Sequence, residues 1–404
     1  MRSPRYIFVS LLFLTACGGG PAASVPDGGT SPCVGSQKQF GSVCLTPPTM
    51  AAVRTPCGDV TEFCDPTNVP TPNFDCLSAA PKQHPATPAT VTLVGYAHPF
   101  ASGSTPSGVT ITLFKAADLL AGADPATATP VTAPVTLTFD PAHAGDGSNL
   151  RACDDDSKVG CVATVPNACV APTCDDGLNG HAVGNNYCHL VKGGGPVCSP
   201  RLRWEPRFSI PNVPTNTQLV MRTAESDGKA TSWAVMDSWN VFLASDDKAC
   251  TDALSSDCLD LSDKANPKYQ LNANLLSSGD YSNIPNVAGL SQGIAQGRGA
   301  VAGEIHDCDN VRVGFVQVGV NPPGDRFTYF NGDPYKTVPD SSRSTSGTDR
   351  LGLFSSLNTR PGPVSVEGAA LVNGKIVSVG KLKAVLFPDS VAVLNVNGGK
   401  PQQQ

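Results

Sequence analysis

Stretches in which apolar and polar residues alternate one by one recur along this chain, and they bound its fold more tightly than any other feature. TVTLVGYAHPF (90–100), GVTITLFKA (108–116) and VTLTFD (135–140) have this period of two. RFSIPNVPTNTQLVMRT (207–223) and SWAVMDSWNVFL (232–243) continue it. A period of two places successive side chains on opposite faces of a β-strand. After a polar interval the pattern returns in AVAGEIHD (300–307), VRVGFVQVGV (311–320), RFTYF (326–330), RLGLFSSL (350–357) and a long run from Gly362 to Val396. Asn373-Gly374, between two alternating stretches of that run, is a hairpin signal. A chain of 404 residues has room for two or three domains. The pattern predicts an all-β fold of two tandem antiparallel β-sandwiches, at about 91–245 and 298–396.

The intervals differ in texture. Residues 17–90 are rich in Pro, Ser, Thr and Gly and hold five cysteines after Cys17. They read as a disordered tether followed by a disulfide-pinned segment lying against the body. Residues at about 145–200 hold six cysteines and many Asp, Asn and Gly with little apolar content. They read as a disulfide-rich loop insertion in the first sandwich, held by its own bridges because it has no core to bury. The polar stretch 246–297 reads as a connector, with a helix predicted near NPKYQLNANLLSS (266–278).

The two strand-rich regions resemble each other. VTLVGYAHPF followed by GVTITLF aligns with AVAGEIHDCDN followed by VGFVQVGV. RFSIPNVPTNTQLVMRT aligns with LGLFSSLNTRPGPVSVEGA: a Phe in a strand, an Asn, a Pro-containing turn and an alternating strand. Without the cysteine-rich stretch the two copies have comparable lengths. This pattern is similar to the carboxypeptidase regulatory-like family of transthyretin-like β-sandwiches. The second copy carries it better, in the V-x-G-x-x-x-D run from Val301 to Asp307 and in Gly352-Leu353-Phe354 with Asn358 and Pro361-Gly362. The resemblance implies seven-stranded sandwiches, related in fold to starch-binding domains, with no catalytic apparatus and no fixed ligand. Function does not follow from such a fold.

The amino terminus has its own signature. Arg2 and Arg5 precede the apolar run YIFVSLLFLTA of eleven residues. That is about half of the roughly 20 residues a helix needs to span a bilayer, so residues 1–16 read as a signal peptide. Leu14-Thr15-Ala16-Cys17 resembles the lipobox of bacterial lipoproteins. The resemblance implies cleavage before Cys17, acylation of its thiol and a mature chain anchored in the bacterial cell envelope through its lipid. Gly18 stands where an acidic residue marks inner-membrane retention in some bacteria, which points to the outer membrane. Two or more acyl chains hold a protein firmly, since each buried CH2 contributes about 0.8 kcal/mol. The expected partners are the membrane and an unidentified protein or glycan ligand.

Of the 15 cysteines, 14 remain once Cys17 carries lipid, an even number that suits a disulfide framework in an exported chain. Cys33, Cys44, Cys57, Cys64 and Cys76 lie early. Cys153, Cys161, Cys169, Cys174, Cys188 and Cys198 lie in the insertion. Cys250, Cys258 and Cys308 lie late. If the middle six pair among themselves, neither the early five nor the late three can all pair locally. At least one bridge must then join the early segment to the late one. Cys250 and Cys258 are close enough for a local pair, which leaves Cys308 as the long-range candidate.

Little else carries chemistry. Gly289-Leu290-Ser291-Gln292-Gly293 matches G-x-S-x-G, but a nucleophile elbow needs a strand before it and a helix after it. His306 and Glu304, the only His and acid that could follow Ser291 in the required chain order, stand two residues apart. Gly297-Arg298-Gly299 opens a strand rather than a helix, so it is no dinucleotide loop. Cys169, Cys174, His181, Cys188 and His189 have the residue types of a zinc site without paired C-x2-C spacing. Asp154-Asp155-Asp156 and Asp175-Asp176 lack the calcium-loop pattern. No catalytic residue, metal or cofactor is expected. A net charge of -6 without a basic patch excludes a nucleic-acid partner. His98 and His143 are expected in turns. Trp204, Trp233 and Trp239 are expected mostly in sandwich cores. If Trp233 and Trp239 were exposed instead, they would form a stacking surface for sugar rings. The reading is a non-enzymatic cell-surface lipoprotein displaying β-sandwich modules for adhesion, ligand binding or envelope structure. The alternative is a polysaccharide-binding surface protein that uses its tryptophans.

Overall fold

A computed structural model describes residues 33, 35–54, 71–80, 82–100, 106–138, 149–153, 182–183, 186–190, 196–198, 202–226, 230–250, 257–332, 337–349 and 351–401. For 149–153, 182–183, 186–190, 196–198 and 202–205 it gives the backbone path. The predicted signal peptide, Cys17 and the tether lie outside the described residues, as do Cys161, Cys169, Cys174, His143, His181 and the two aspartate runs. Cys33–Gln404 belong to one compact unit.

The N-terminal segment supplies β1 (Lys38–Phe40), β2 (Val43–Leu45) and β3 (Val53–Arg54). The first strand-rich region opens with β4 (Thr90–Phe100), β5 (Val109–Lys115), helix α1 (Ala116–Leu120) and β6 (Val135–Thr136). The cysteine-rich stretch contributes β7 (Asn149–Cys153), β8 (Ala182–Val183), β9 (Asn186–Leu190) and β10 (Pro196–Cys198). Then come β11 (Leu202–Pro214), β12 (Gln218–Glu225) and β13 (Val235–Phe242). The polar interval holds β14 (Cys258–Asp260), β15 (Lys268–Gln270), β16 (Ala273–Leu276) and helix α2 (Ser278–Val287). The second region consists of β17 (Gly299–His306), β18 (Val313–Gly314), β19 (Gln317–Asn321), β20 (Arg326–Phe330) and β21 (Pro339–Asp340). It ends with β22 (Leu353–Thr359), β23 (Gly362–Val372), β24 (Lys375–Leu386), β25 (Ser390–Leu394) and β26 (Val396–Asn397).

Both regions build the same two-layer unit. In the first, β4 pairs antiparallel with β11 and parallel with β15 and β16, and the other layer is β5–β12–β13. In the second, β17 pairs antiparallel with β22 and parallel with β25 and β26, and the other layer is β19–β23–β24. The match extends to single atoms. Gly95 faces Phe208 across the ladder, and Gly303 faces Phe354. A Cβ on Gly95 would stand 2.0 Å from the Leu271 carbonyl oxygen, and one on Gly303 would stand 2.1 Å from that of Leu394. Only a residue without a Cβ lets the backbones approach so closely. The next residue also matches: Asn272 Oδ1 accepts from the Tyr96 amide, and Asn395 Oδ1 from that of Glu304. Asn212 and Asn358, each four residues after the Phe, have positive φ beside a register shift.

These strands are not all antiparallel, as the sequence led us to expect. In each unit the last strand returns to lie beside the first, and the intervening strands act as the crossover that a parallel pair requires. Nor is 246–297 merely a connector. The segment predicted to be helical supplies β15 and β16, and the helix follows it. Tyr269, Ala273 and Leu275 are buried and Leu271 is half-buried, a period of two that places one side of the segment in the first core. His98 lies within β4, opposite Asn274, rather than in a turn.

The two units share a sheet. β13, at the edge of the first unit's second layer, pairs parallel with β25 of the second unit from Val235 to Trp239. The result is a ten-stranded sheet in the order β21-β20-β22-β17-β25-β13-β12-β5-β6, with β26 beside β17. Each face of this sheet carries its own packing. Leu219 and Met221 of β12 enter the first core, while Val220 between them joins the second with Phe114 and Trp239. Ala392 and Leu394 of β25 enter the second core, while Val391 and Val393 pack with residues around α2 on the other face. Coverage on both faces explains why β22 and β25 are buried along their whole length.

Candidate functional site

The N-terminal segment precedes the first sandwich in sequence but docks on the second. Val43 and Leu45 of β2 pack on Ala369 of β23, and β3 pairs with β18. The turn between β1 and β2 ends in a polar clasp. The Ser42 amide donates to Glu367 Oε1 at 2.9 Å, and the Ser42 hydroxyl donates to the same oxygen. Lys381 Nζ lies 2.5 Å from that oxygen and donates to Ser42 Oγ at 3.1 Å. Burial alone would raise the Glu367 carboxyl, but Lys381 and the Ser42 donors outweigh it and hold it below the usual range. A serine beside a lysine is a nucleophile–base arrangement only when the amine is free to take a proton. Here the ammonium is spent on Glu367, so the contact is a clasp.

Further along, Arg54 Nε meets Asp307 Oδ2 at 2.5 Å, and its guanidinium also pairs with Asp309. Asp307 is fully buried and folds the following turn by accepting from the amides of Asp309 and Val311. It also accepts from the Asn73 amide. Beside it, Cys76 and Cys308 form a disulfide across 232 residues of sequence, the early-to-late bridge that cysteine parity required. Cys33–Cys44 and Cys250–Cys258 are bridged locally.

A second polar centre lies at the same end of β17. His306 Nε2 is 2.8 Å from Glu304 Oε2, and its Nδ1 is 2.9 Å from Asn310 Oδ1. Arg312 donates to both Glu304 oxygens. Asn310 donates to Asp257, which meets Lys400 Nζ at 2.6 Å, and Asn397 donates to Asn310 Oδ1. Burial would raise the Glu304 carboxyl, but Arg312 and His306 more than offset it and hold it well below the ordinary carboxylate range. Lys400 and His306 do the same for Asp257. The imidazole and the acids face one another and side-chain amides, with no hydroxyl or thiol within hydrogen-bond reach of His306 among the described residues. The centre ties β14, β17 and the C-terminal segment together.

A third feature is open. A cleft of about 340 Å³ lies between the end of α1 with its following loop (Leu119 to Pro125) and the end of β24 with its following turn (Val385 to Pro388), with Arg222 of β12 and Asp124 both in its lining. Arg222 Nη1 donates to both oxygens of Asp237 directly across the ladder, at 2.8 and 3.0 Å. Its guanidinium lies over the Phe387 ring. Asp237 is fully buried, and burial pushes its carboxyl up against the pull of Arg222.

Trp233 and Trp239 do not form a stacking surface. Their exposures are 4% and 2%; Trp233 packs in the first core and Trp239 in the second. Alternation sends these rings inward, where their large apolar area is best used. The Trp204 side chain lies outside the described residues. Ser291 sits in an exposed turn that follows α2 and precedes β17, the reverse of an elbow. Cys153 opposes Leu202, and Cys188 opposes Cys198, in backbone ladders of the insertion. Sequence reasoning missed the Arg222–Asp237 pair and the Glu304 centre. The i,i+2 spacing of Glu304 and His306 on one face of a strand was the available signal for the second.

No family model and no curated protein matches the chain. Among solved structures, a mutant of the shaft pilin SpaA from Lactobacillus rhamnosus GG is matched at 8% identity over 76% of this chain and 98% of that one. The TM-score of 0.19 is too low for the likeness to bear on fold or function.

Proposed function

We propose that this chain is a non-enzymatic lipoprotein of the bacterial cell surface, in which two fused β-sandwiches of the carboxypeptidase regulatory-like kind form a rigid platform on an acylated tether. One observation carries the reading: the segment just behind the tether is cross-linked to the second sandwich by Cys76–Cys308 and reinforced by the Arg54 and Glu367 ion pairs. A load applied at the amino terminus meets the docked β1–β3 segment and its ion pairs first, and the covalent bridge behind them holds the chain to the second sandwich. Such a bridge persists only in an oxidising compartment, in keeping with the signal-peptide pattern. The platform serves adhesion, ligand binding or envelope structure, and the outer membrane is the expected site.

Expression in a bacterium that acylates lipoproteins tests this. The mature protein is expected to begin at Cys17, to incorporate labelled palmitate and to partition into detergent. Cys17→Ala is expected to lose the label and move to the aqueous phase. A wild-type chain that keeps Met1 and an unmodified thiol at position 17 would overturn the proposal.

A further inference from the structure

The second unit has an edge that the first has already filled. In the first unit, the outer edge of β13 accepts β25 as a parallel neighbour. The matching strand of the second unit is β24: each is the third strand of its layer, and each carries a register shift against its predecessor. β24 runs for 12 residues, and among the described residues no strand lies on its outer side. An edge of that length presents a row of backbone donors and acceptors that another extended chain can pair with.

Three observations indicate what would pair there. Lys375 and Lys383 are exposed on β24, and Ile376 between them is about half exposed, at 52%. The cleft described above opens at Val385, the last but one residue of the strand. Nη1 of Arg222 is committed to Asp237. Its Nε and Nη2 have no acceptor among the described residues, so the three N–H donors on these two nitrogens remain. A second copy of this chain could not repeat the β13–β25 joint. The matching edge of the first unit, at β15, is closed by β14, by the Ala249–Leu259 bridge and by Cys250–Cys258.

We propose that the outer edge of β24, with the adjoining Arg222 cleft, takes an extended, acidic segment of a partner protein by strand addition, as β13 takes β25 within the molecule. The strand supplies main-chain pairing, Lys375 and Lys383 select acidic flanks, and the cleft receives a side chain or a terminal carboxylate. This names a partner class for the platform but does not depend on the lipid anchor.

The test uses the whole chain in solution and two labelled decapeptides. One has the sequence of residues 388–397; the other is the same peptide with Ser390→Glu and Asn395→Glu. Fluorescence anisotropy is expected to show both binding, the acidic peptide more tightly. Lys375→Glu with Lys383→Glu is expected to weaken the acidic peptide about tenfold or more, with an unchanged melting temperature. Hydrogen exchange of the complex is expected to slow at 375–386 and not at 317–321, the other edge of the same layer. Any of four results would overturn the proposal: no binding of either peptide, equal binding to the charge-reversed protein, protection at 390–394 in place of 375–386, or a dimer of the chain alone that the charge reversal abolishes. None of them touches the lipid assignment, which palmitate labelling decides separately.

Discussion

Replacing Gly303 with alanine would push a β-carbon into the carbonyl of Leu394, with Phe354 closing the other side. Neither neighbour can move without opening a core, so Gly303→Ala is expected to cost about 1–3 kcal/mol. Gly279→Ala, in α2, where the new carbon would have only Ser277 within 4 Å at 3.6 Å, is expected to be neutral or slightly stabilising. Thermal unfolding of the two variants separates them. Glu304 makes a different prediction. Its folded carboxyl titrates below the usual range, whereas in the unfolded chain it titrates at about 4.3. Its contribution is therefore complete above that pH and is lost as pH falls toward the folded value. Glu304→Gln is expected to lower stability by about 1–3 kcal/mol at neutral pH. Urea unfolding from pH 6 to pH 3 should show wild type and variant converging, and a constant gap would refute the assignment. The Gly–Phe repeat was legible because both residues stand in strongly alternating runs. The Leu-Asn-x-Asn repeat at 271–274 and 394–397 was not, because its first copy sits in a short stretch whose spacing reads as a helix rather than a strand.

Among the elements, the strands were easier to read than what joins them. Long alternating runs such as 362–372 and 375–386 declare themselves, and Asn373-Gly374 turns between them with positive φ at both positions. The short strands β15 and β16 have too few residues for alternation to stand out, and Leu275-Leu276 blurs the period. They form because β4 offers a template, which is a tertiary effect. Cysteine parity, by contrast, reached across the molecule without any geometry. Its consequence is testable at this scale. Removing the bridge with Cys76→Ser and Cys308→Ser frees a segment that precedes its docking surface by more than 200 residues. A loss of roughly 2–5 kcal/mol is expected, as for bridges that close long loops. Proteolysis should then cut first between Lys38 and Arg54 while 299–397 stays intact. Equal stability with and without the bridge would show that the ion pairs alone hold the segment.

For the molecule as a whole, the shared sheet changes what the two sandwiches are. The sequence shows two copies of a pattern, and nothing in its alternation says that one copy's third strand will pair with the other's last. That joint depends on both strands having an open edge and two apolar faces, which becomes visible only when they lie side by side. Its consequence is cooperative unfolding. Trp239 is a residue of the first unit whose ring belongs to the second core. If the units were independent, Trp239→Ala would lower the stability of one and leave the other unchanged. With a continuous sheet and interleaved cores, the variant is expected to lose about 3–5 kcal/mol in a single transition. Near-ultraviolet dichroism, which follows the packed aromatics, should coincide with far-ultraviolet dichroism, which follows the strands. Calorimetry should give one peak for wild type and variant alike. Two separated peaks, only one of them shifted by the substitution, would mean that the β13–β25 ladder joins the modules without coupling them, and that the platform flexes at that ladder.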